Sequence, residues 1–320
     1  MPNGASNSSL RVAARSAIGF ALDLVKLGGF GRDVIDGLLL MAIAQANVAL
    51  ITRDPDLQRA YAGLDQPPPD DLRRPVSINA IASSLRIPFE TTRRRVSALV
   101  KAEILQSTPR GVILPQAPLN STFYRMGAEA NYALVRNLYF RLRAIGLLDD
   151  LPRPNGPPFD PEHPPLRLVI RLSADYLLRL VDPLNRTIGD LVSGLILMDV
   201  FHANTEHLAD TKDDDDGAEW SESAFVSDLD RRPVSAADVA RRLGIPHETV
   251  RRRLIRLVAE DRCERCNEGY QVSARILARG LLADMVITNL NDLQRLFGAL
   301  AELGVPTEWE RERLDLGGPL

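Results

Sequence analysis

Cysteine is nearly absent from this 320-residue sequence: Cys263 and Cys266 are the only two, which argues against a secreted, disulfide-stapled scaffold. Long apolar runs are also missing. The longest, Gly37 to Ile51, is too short for a membrane span and carries Gln45 and Asn47. The N-terminal stretch has Arg11 and Arg15, but Asp23 interrupts any secretory apolar core, so it reads as a short disordered lead into a helix. A soluble, cytoplasmic protein is the expectation. Excess positive charge is lacking as well. Lys and Arg number 39 against 42 Asp and Glu, a net charge of −3, which is not the profile of a protein that coats nucleic acid by bulk charge. Nucleic-acid binding would have to rest on local clusters. No Ser-His-Asp set, glycine-rich phosphate loop or paired-carboxylate constellation stands out, so neither an enzyme nor a cofactor is expected.

What is present is repetition. Pro75 to Gly111 (PVSINAIASSLRIPFETTRRRVSALVKAEILQSTPRG) and Pro233 to Gly269 (PVSAADVARRLGIPHETVRRRLIRLVAEDRCERCNEG) align without a gap at an offset of 158, with 15 of 37 positions identical. Upstream, Gly37 to Asn47 matches Gly194 to Asn204. Downstream, Asn131, Leu138, Leu142 and Gly146 fall opposite Asn289, Leu296, Leu300 and Gly304. Two copies point to a pseudo-two-fold arrangement rather than a solenoid. The expected organisation is repeat 1 over residues 1–150, with a compact unit at 73–116 and a long helix at 119–148. A proline-rich linker, 151–165, leads to repeat 2 over 166–320, with its unit at 231–274 and long helix at 274–305. Leu134, Leu138, Leu142 and Ile145, and Leu290, Leu293, Leu296, Leu300 and Leu303, recur at helical spacing and should pack the halves together. The loops Arg53 to Leu72 and Asp210 to Asp230 are acidic and poor in core residues; both are expected to be mobile.

Within each unit, Ser77 and Ser235 stand where an N-cap belongs. A first helix buries Ile81, Ala82 and Leu85, or Val239, Ala240 and Leu243. Arg86 or Gly244 turns the chain, and Ile87-Pro88 or Ile245-Pro246 opens a second helix. There Thr92, Val96, Leu99 and Val100, and Val250, Leu254, Leu257 and Val258, form an inward stripe. Arg94 and Arg252 then point away from it, with Arg93 and Arg95, and Arg251 and Arg253, on the flanks. Thr91 and Thr249 lie near the exposed N-terminal end. Three guanidiniums and a hydroxyl fanned out at the positive end of a helix suit phosphate and base-edge contacts. Arg256 extends the basic face of the second copy. A two-stranded wing should follow, with Arg110 at its tip in copy one, placed to enter a minor groove. The second wing carries Glu264, Arg265, Asn267 and Glu268 and is less suited to DNA.

Ile87-Pro-Phe-Glu-Thr-Thr-Arg-Arg-Arg-Val96 and Ile245-Pro-His-Glu-Thr-Val-Arg-Arg-Arg-Leu254 resemble the winged helix-turn-helix of bacterial transcription regulators such as the MarR and IclR families. The resemblance covers about 80 of the 320 residues and implies that Arg94 and Arg252 meet the DNA backbone. The expected fold is mainly α with small β wings: two winged helix-turn-helix units in one duplicated chain, joined by long packing helices. The expected function is sequence-specific, double-stranded-DNA-binding transcription regulation. A plasmid-type replication initiator and a winged-helix protein-interaction module remain as alternatives, and a homodimer and a small-molecule effector are left open.

Two weaker constellations read as structural. Cys263-x-x-Cys266 lacks further ligands, and Cys263 aligns with the core position Leu105, so burial rather than metal or redox chemistry is expected. Asp199, His202 and Glu206 share one helical face, taken as a polar surface rather than a metal site.

Overall fold

Residues 7–29, 31–208 and 225–315 are described by the computed structural model, which is mainly helical with two small antiparallel two-stranded sheets. The first half runs α1 (Asn7–Gly28), α2 (Val34–Asn47), α3 (Ala49–Arg53), α4 (Pro55–Ala60), α5 (Ile78–Leu85), α6 (Phe89–Lys101), β1 (Gln106–Thr108), β2 (Gly111–Ile113) and α7 (Thr122–Ala144). The second runs α8 (Leu166–Arg179), α9 (Val181–Ile188), α10 (Leu191–Thr205), α11 (Ala236–Leu243), α12 (His247–Ala259), β3 (Glu264–Cys266), β4 (Gly269–Gln271), α13 (Ala274–Leu277), α14 (Gly280–Glu302) and α15 (Val305–Asp315). At the repeat offset, α8 and α9 together occupy the place of α1. The second-half helix breaks because Pro183 has no N–H to give the carbonyl of Arg179.

The main buried apolar cluster runs from Ala13 in α1 to Trp309 in α15, and Leu64, Ala128 and Leu166 form a small second one. Helix α1 packs on α2 and α7 of its own half and on α10 and α14 of the other, while α8 packs on α2, α7 and α14. The halves therefore share a core rather than enclosing one each. Of the leucines at helical spacing, Leu138 and Leu142 of α7 and Leu290, Leu293, Leu296 and Leu300 of α14 are buried, while Leu134, Ile145 and Leu303 are half-buried. Tyr139 meets Phe297 and Trp309 with ring centroids 5.8 and 5.5 Å apart, and its hydroxyl donates to Glu310.

The loop Arg53 to Leu72, expected to be mobile, is built into the fold. Asp54 caps α4 by accepting from the amides of Asp56 and Leu57. Ala62 and Leu64 are buried, and the carbonyl of Ala62 accepts from the amides of Arg167 and Leu168. Its acidic composition hid two apolar anchors and a row of carbonyls that α8 satisfies. The proline-rich linker is also tied down. The amide of Asn155 donates to the Glu302 carbonyl, and Arg59 donates to the Pro157 carbonyl while stacking 4.6 Å from the Phe159 ring centroid. Most of the acidic stretch 210–230, and the lead at residues 1–6, lie outside the described residues.

Each hairpin is closed onto the strand that precedes its helix pair. Val76 exchanges both backbone bonds with Val112, and Val234 does the same with Tyr270. This approach requires glycine at the hairpin turn. Gly269 has φ +150°, and a Cβ there would sit 2.4 Å from the Val234 carbonyl oxygen; Gly111, with φ +135°, faces the Val76 oxygen at 2.3 Å. Gly269→Ala should therefore cost about 2–4 kcal/mol and loosen the hairpin. Urea denaturation and amide exchange at Val234 and Tyr270 measure both effects, and unchanged protection at those amides would refute the packing argument.

Candidate nucleic-acid interface

The two helix pairs are assembled by the same devices. Ser77 accepts from the amide of Ala80 and Ser235 from that of Asp238. Arg86 (φ 51°) and Gly244 (φ 66°) turn the chain in the left-handed region. The residues predicted to be buried in α5 and α11 are buried, and in α6 and α12 so are Thr92, Val96 and Leu99, and Val250, Leu254 and Leu257. Val100 and Val258 are half-buried. Pro88 and Pro246 sit one residue before their helices rather than inside the first turn, and neither N-terminus carries a side-chain cap. The Thr249 amide donates to the Pro246 carbonyl; the two amides ahead of it in α12 and those of the first turn of α6, with the positive end of each helix dipole, are left for an external acceptor.

Two buried asparagines fasten the pairs to the core. Asn47, ending α2, donates to the carbonyls of Arg74 and Val112 and accepts from the amide of Leu114. Asn204 in α10 donates to Arg232 and Tyr270 and accepts from Val272. The six partners match at the repeat offset. Beside them, buried Arg73 pairs with Asp70 and donates to the Pro68 carbonyl, while buried Arg231 pairs with Asp228 and donates to that of Val226. The second pair has one further anchor: Arg242 of α11 grips Asp199 of α10 through Nε at 3.0 Å and Nη2 at 2.6 Å. Asp199, expected on a polar surface with His202 and Glu206, is buried for that reason, while His202 Nδ1 lies 3.5 Å from Glu206.

The arginines divide into outward and inward sets. Arg94 is exposed and makes no hydrogen bond or ion pair among the described residues; Arg252 is 76% exposed and donates to Glu248. Arg93 and Arg251 are exposed and pair with Glu90 and Glu248 one turn back. Bonds from Arg251 and Arg252 pull the Glu248 carboxyl down to about 2, and the bond from Arg93 lowers Glu90. Arg256 is exposed, bonded to Glu260 and 3.6 Å from Asp190.

Arg95 and Arg253 do not join the outward fan. Arg95, 20% exposed, donates to Asp33 at 2.8 Å and Asp36 at 2.6 Å. Arg253, 29% exposed, donates to Asp190 and to the Ser193 hydroxyl. Each lies three residues beyond one stripe residue and four before another, so its long side chain runs along the boundary of the core and finds the capped N-terminus of α2 or α10. Burial by itself would raise the Asp190 carboxyl, but bonds from Ser193 and the Arg253 guanidinium hold it below the usual carboxylate range.

Asp33 and Asp190 were not legible as site residues, although their equal placement at the repeat offset is a signal in the text. Each does two jobs. Asp33 accepts from the amides of Ile35 and Asp36 while holding Arg95; Asp190 accepts from Ser193 while holding Arg253. Asp33 also touches the second pair, because a Cβ on Gly244 would lie 3.3 Å from its Cα, and Arg86 reaches across to Asp182 of α9 at 2.6 Å. Asp33→Ala should cost about 2–3 kcal/mol through the lost cap and the stranded guanidinium. Urea denaturation beside Asp33→Asn, which keeps a capping oxygen and removes the charge, separates the two contributions. Equal stability of all three proteins would refute the anchoring role.

Thr91 and Thr249 are half-buried at the start of their helices, and Arg110 is exposed at the first hairpin tip. In the second hairpin Arg265 is exposed, whereas Glu264 is engaged by Ser273 and Arg275. Cys263 is buried, its thiol donating to the Gln271 carbonyl and pushed up by burial to about 12; Cys266 is half-buried, and both are free thiols. Among the described residues no helix is long and apolar enough to cross a membrane. No protein-family model matches the chain, and neither a curated protein nor a solved structure matches it.

Proposed function

We propose that the chain is an internally duplicated, double winged helix-turn-helix protein that binds double-stranded DNA sequence-specifically and acts as a transcription regulator. The observation that carries this reading is the recurrence, at one offset, of an uncapped helix N-terminus with an outward guanidinium, Arg94 or Arg252, on a pair clamped by the same asparagine bonds. The basic surface is local: Arg93, Arg94, Arg110, Arg251, Arg252 and Arg256 face solvent on a chain with net charge −3. The glutamates paired with Arg93 and Arg251 are exposed, so phosphates can replace them at little cost.

In this reading α6 and α12 enter major grooves of one duplex. Phe89 and Ile255, each about half exposed, are placed for contact with thymine methyl groups. Because Phe89 stands opposite His247, the two half-sites differ and the operator is an imperfect palindrome. Selecting bound duplexes from a random pool tests the proposal. Enrichment of two related half-sites at a fixed spacing supports it. Recovery of one half-site means only one head reads DNA, and an unenriched pool with no duplex retained at low salt rejects the function.

A further inference from the structure

Beneath the first helix pair, α1, α2, α7 and α8 line a half-open cavity of about 140 Å³. Most of its wall is apolar, including Leu24, Leu40, Met41, Phe123 and Ile170. Three guanidiniums share the same wall: Arg73, Arg167 and Arg171, each at least nine-tenths buried. Asp70 neutralises Arg73. Among the described residues the other two have no carboxylate partner. Arg167 donates to the carbonyls of Leu64 and Leu119 and lies 5.0 Å from the Tyr124 ring centroid, and Arg171 donates to the carbonyls of Tyr61 and Gln58. The Nε of each is buried without any hydrogen-bond partner. Burial draws the Arg171 guanidinium down to about 10, repulsion from Arg167 adding to the effect, and burial also lowers Arg167, where repulsion from Arg73 and Arg125 adds to it.

Two buried cations beside a largely apolar space, held by carbonyl dipoles and, for Arg167, by Tyr124, are costly unless an anion arrives. We propose that this cavity is a binding site for a small organic carboxylate, its apolar body among the leucines and its charge between Arg167 and Arg171. The volume suits a body of about six to eight carbons, since a dry apolar cavity of roughly 150 Å³ accepts benzene. Arg73 and Leu114 of the same wall are where the chain enters and leaves the first helix pair, and Leu114 bonds directly to Asn47. On the DNA-binding reading of the previous section, the site is therefore the input for an effector.

Calorimetry on the full chain with benzoate and octanoate, against the neutral benzamide and the cationic benzylamine, tests the site without reference to DNA. Saturable binding of a carboxylate, with the neutral probe roughly 10- to 100-fold weaker, is expected. Arg171→Gln should remove that preference. Gly127→Leu should block the cavity without disturbing the fold, since a Cβ at that lining glycine meets no atom within 4 Å. No carboxylate binding by the wild-type chain, or binding that survives Gly127→Leu, overturns the site. For the regulatory role, saturating carboxylate should change the affinity for a selected duplex at least about fivefold. Carboxylate binding with unchanged duplex affinity overturns the effector role and leaves the site standing. If no duplex binds at all, the DNA-binding reading fails and the calorimetry still decides the site.

Discussion

Replacing Arg94 and Arg252 together by alanine is expected to weaken binding to a selected duplex by about 10²- to 10⁴-fold, and each single change by about 10- to 100-fold. Both side chains are exposed on helices whose packing stripe they do not touch, so thermal unfolding should stay near that of the parent. Comparing two duplexes that differ at one half-site identifies the contact. If the guanidiniums meet base edges, the loss falls mainly on the preferred duplex. If they meet phosphates, both duplexes suffer equally and the slope of log K against log salt drops by about one per arginine. Arg95→Ala is the informative contrast. Its guanidinium holds Asp33 and Asp36, so stability should fall and DNA affinity should follow only through a loosened head. Parent-like affinity in the double variant would remove these helices from the interface.

Asn47→Ala and Asn204→Ala should each cost about 2–3 kcal/mol, because each strands the amide of Leu114 or Val272 and the carbonyl of Arg74 or Arg232, and leaves the Val112 or Tyr270 carbonyl only its bond from Val76 or Val234. Asparagine to aspartate is a sharper probe. It keeps the acceptor for Leu114 or Val272 but turns the donor into a charged acceptor against two carbonyls, so it should be at least as damaging as alanine. Urea denaturation gives the size of the loss, and amide exchange at Leu114 and Val272 shows whether the head detaches first. A loss under about 1 kcal/mol in both alanine variants would mean that water satisfies the stranded groups and that the clamp is not what fastens the heads.

Much of each helix pair could be read locally. A serine cap, a left-handed turn residue and a stripe at 3.6-residue spacing depend on chain geometry within a dozen residues, and the buried residues Ile81, Leu85, Val96 and Leu99 follow directly. The destination of Arg95 and Arg253 could not be read that way. Helical angles place them on the flank, but whether a flank side chain reaches solvent or folds back depends on Asp33 and Asp190, about 60 residues earlier. The acidic loop misled for a related reason. Composition registers its aspartates, while its fate was decided by Ala62 and Leu64 against α8, more than 100 residues away.

The text by itself determined the local units: their spacing, their first-helix caps and their inward stripes. Tertiary structure alone decided that α1 and α8 pack across both halves, that Arg95 and Arg253 serve as anchors, and that two buried guanidiniums line a cavity without a carboxylate partner among the described residues. The physical reason is range. Caps, turns and periodicity are settled by neighbours along the chain, whereas the burial of a charge or the sharing of a core depends on which distant surfaces meet.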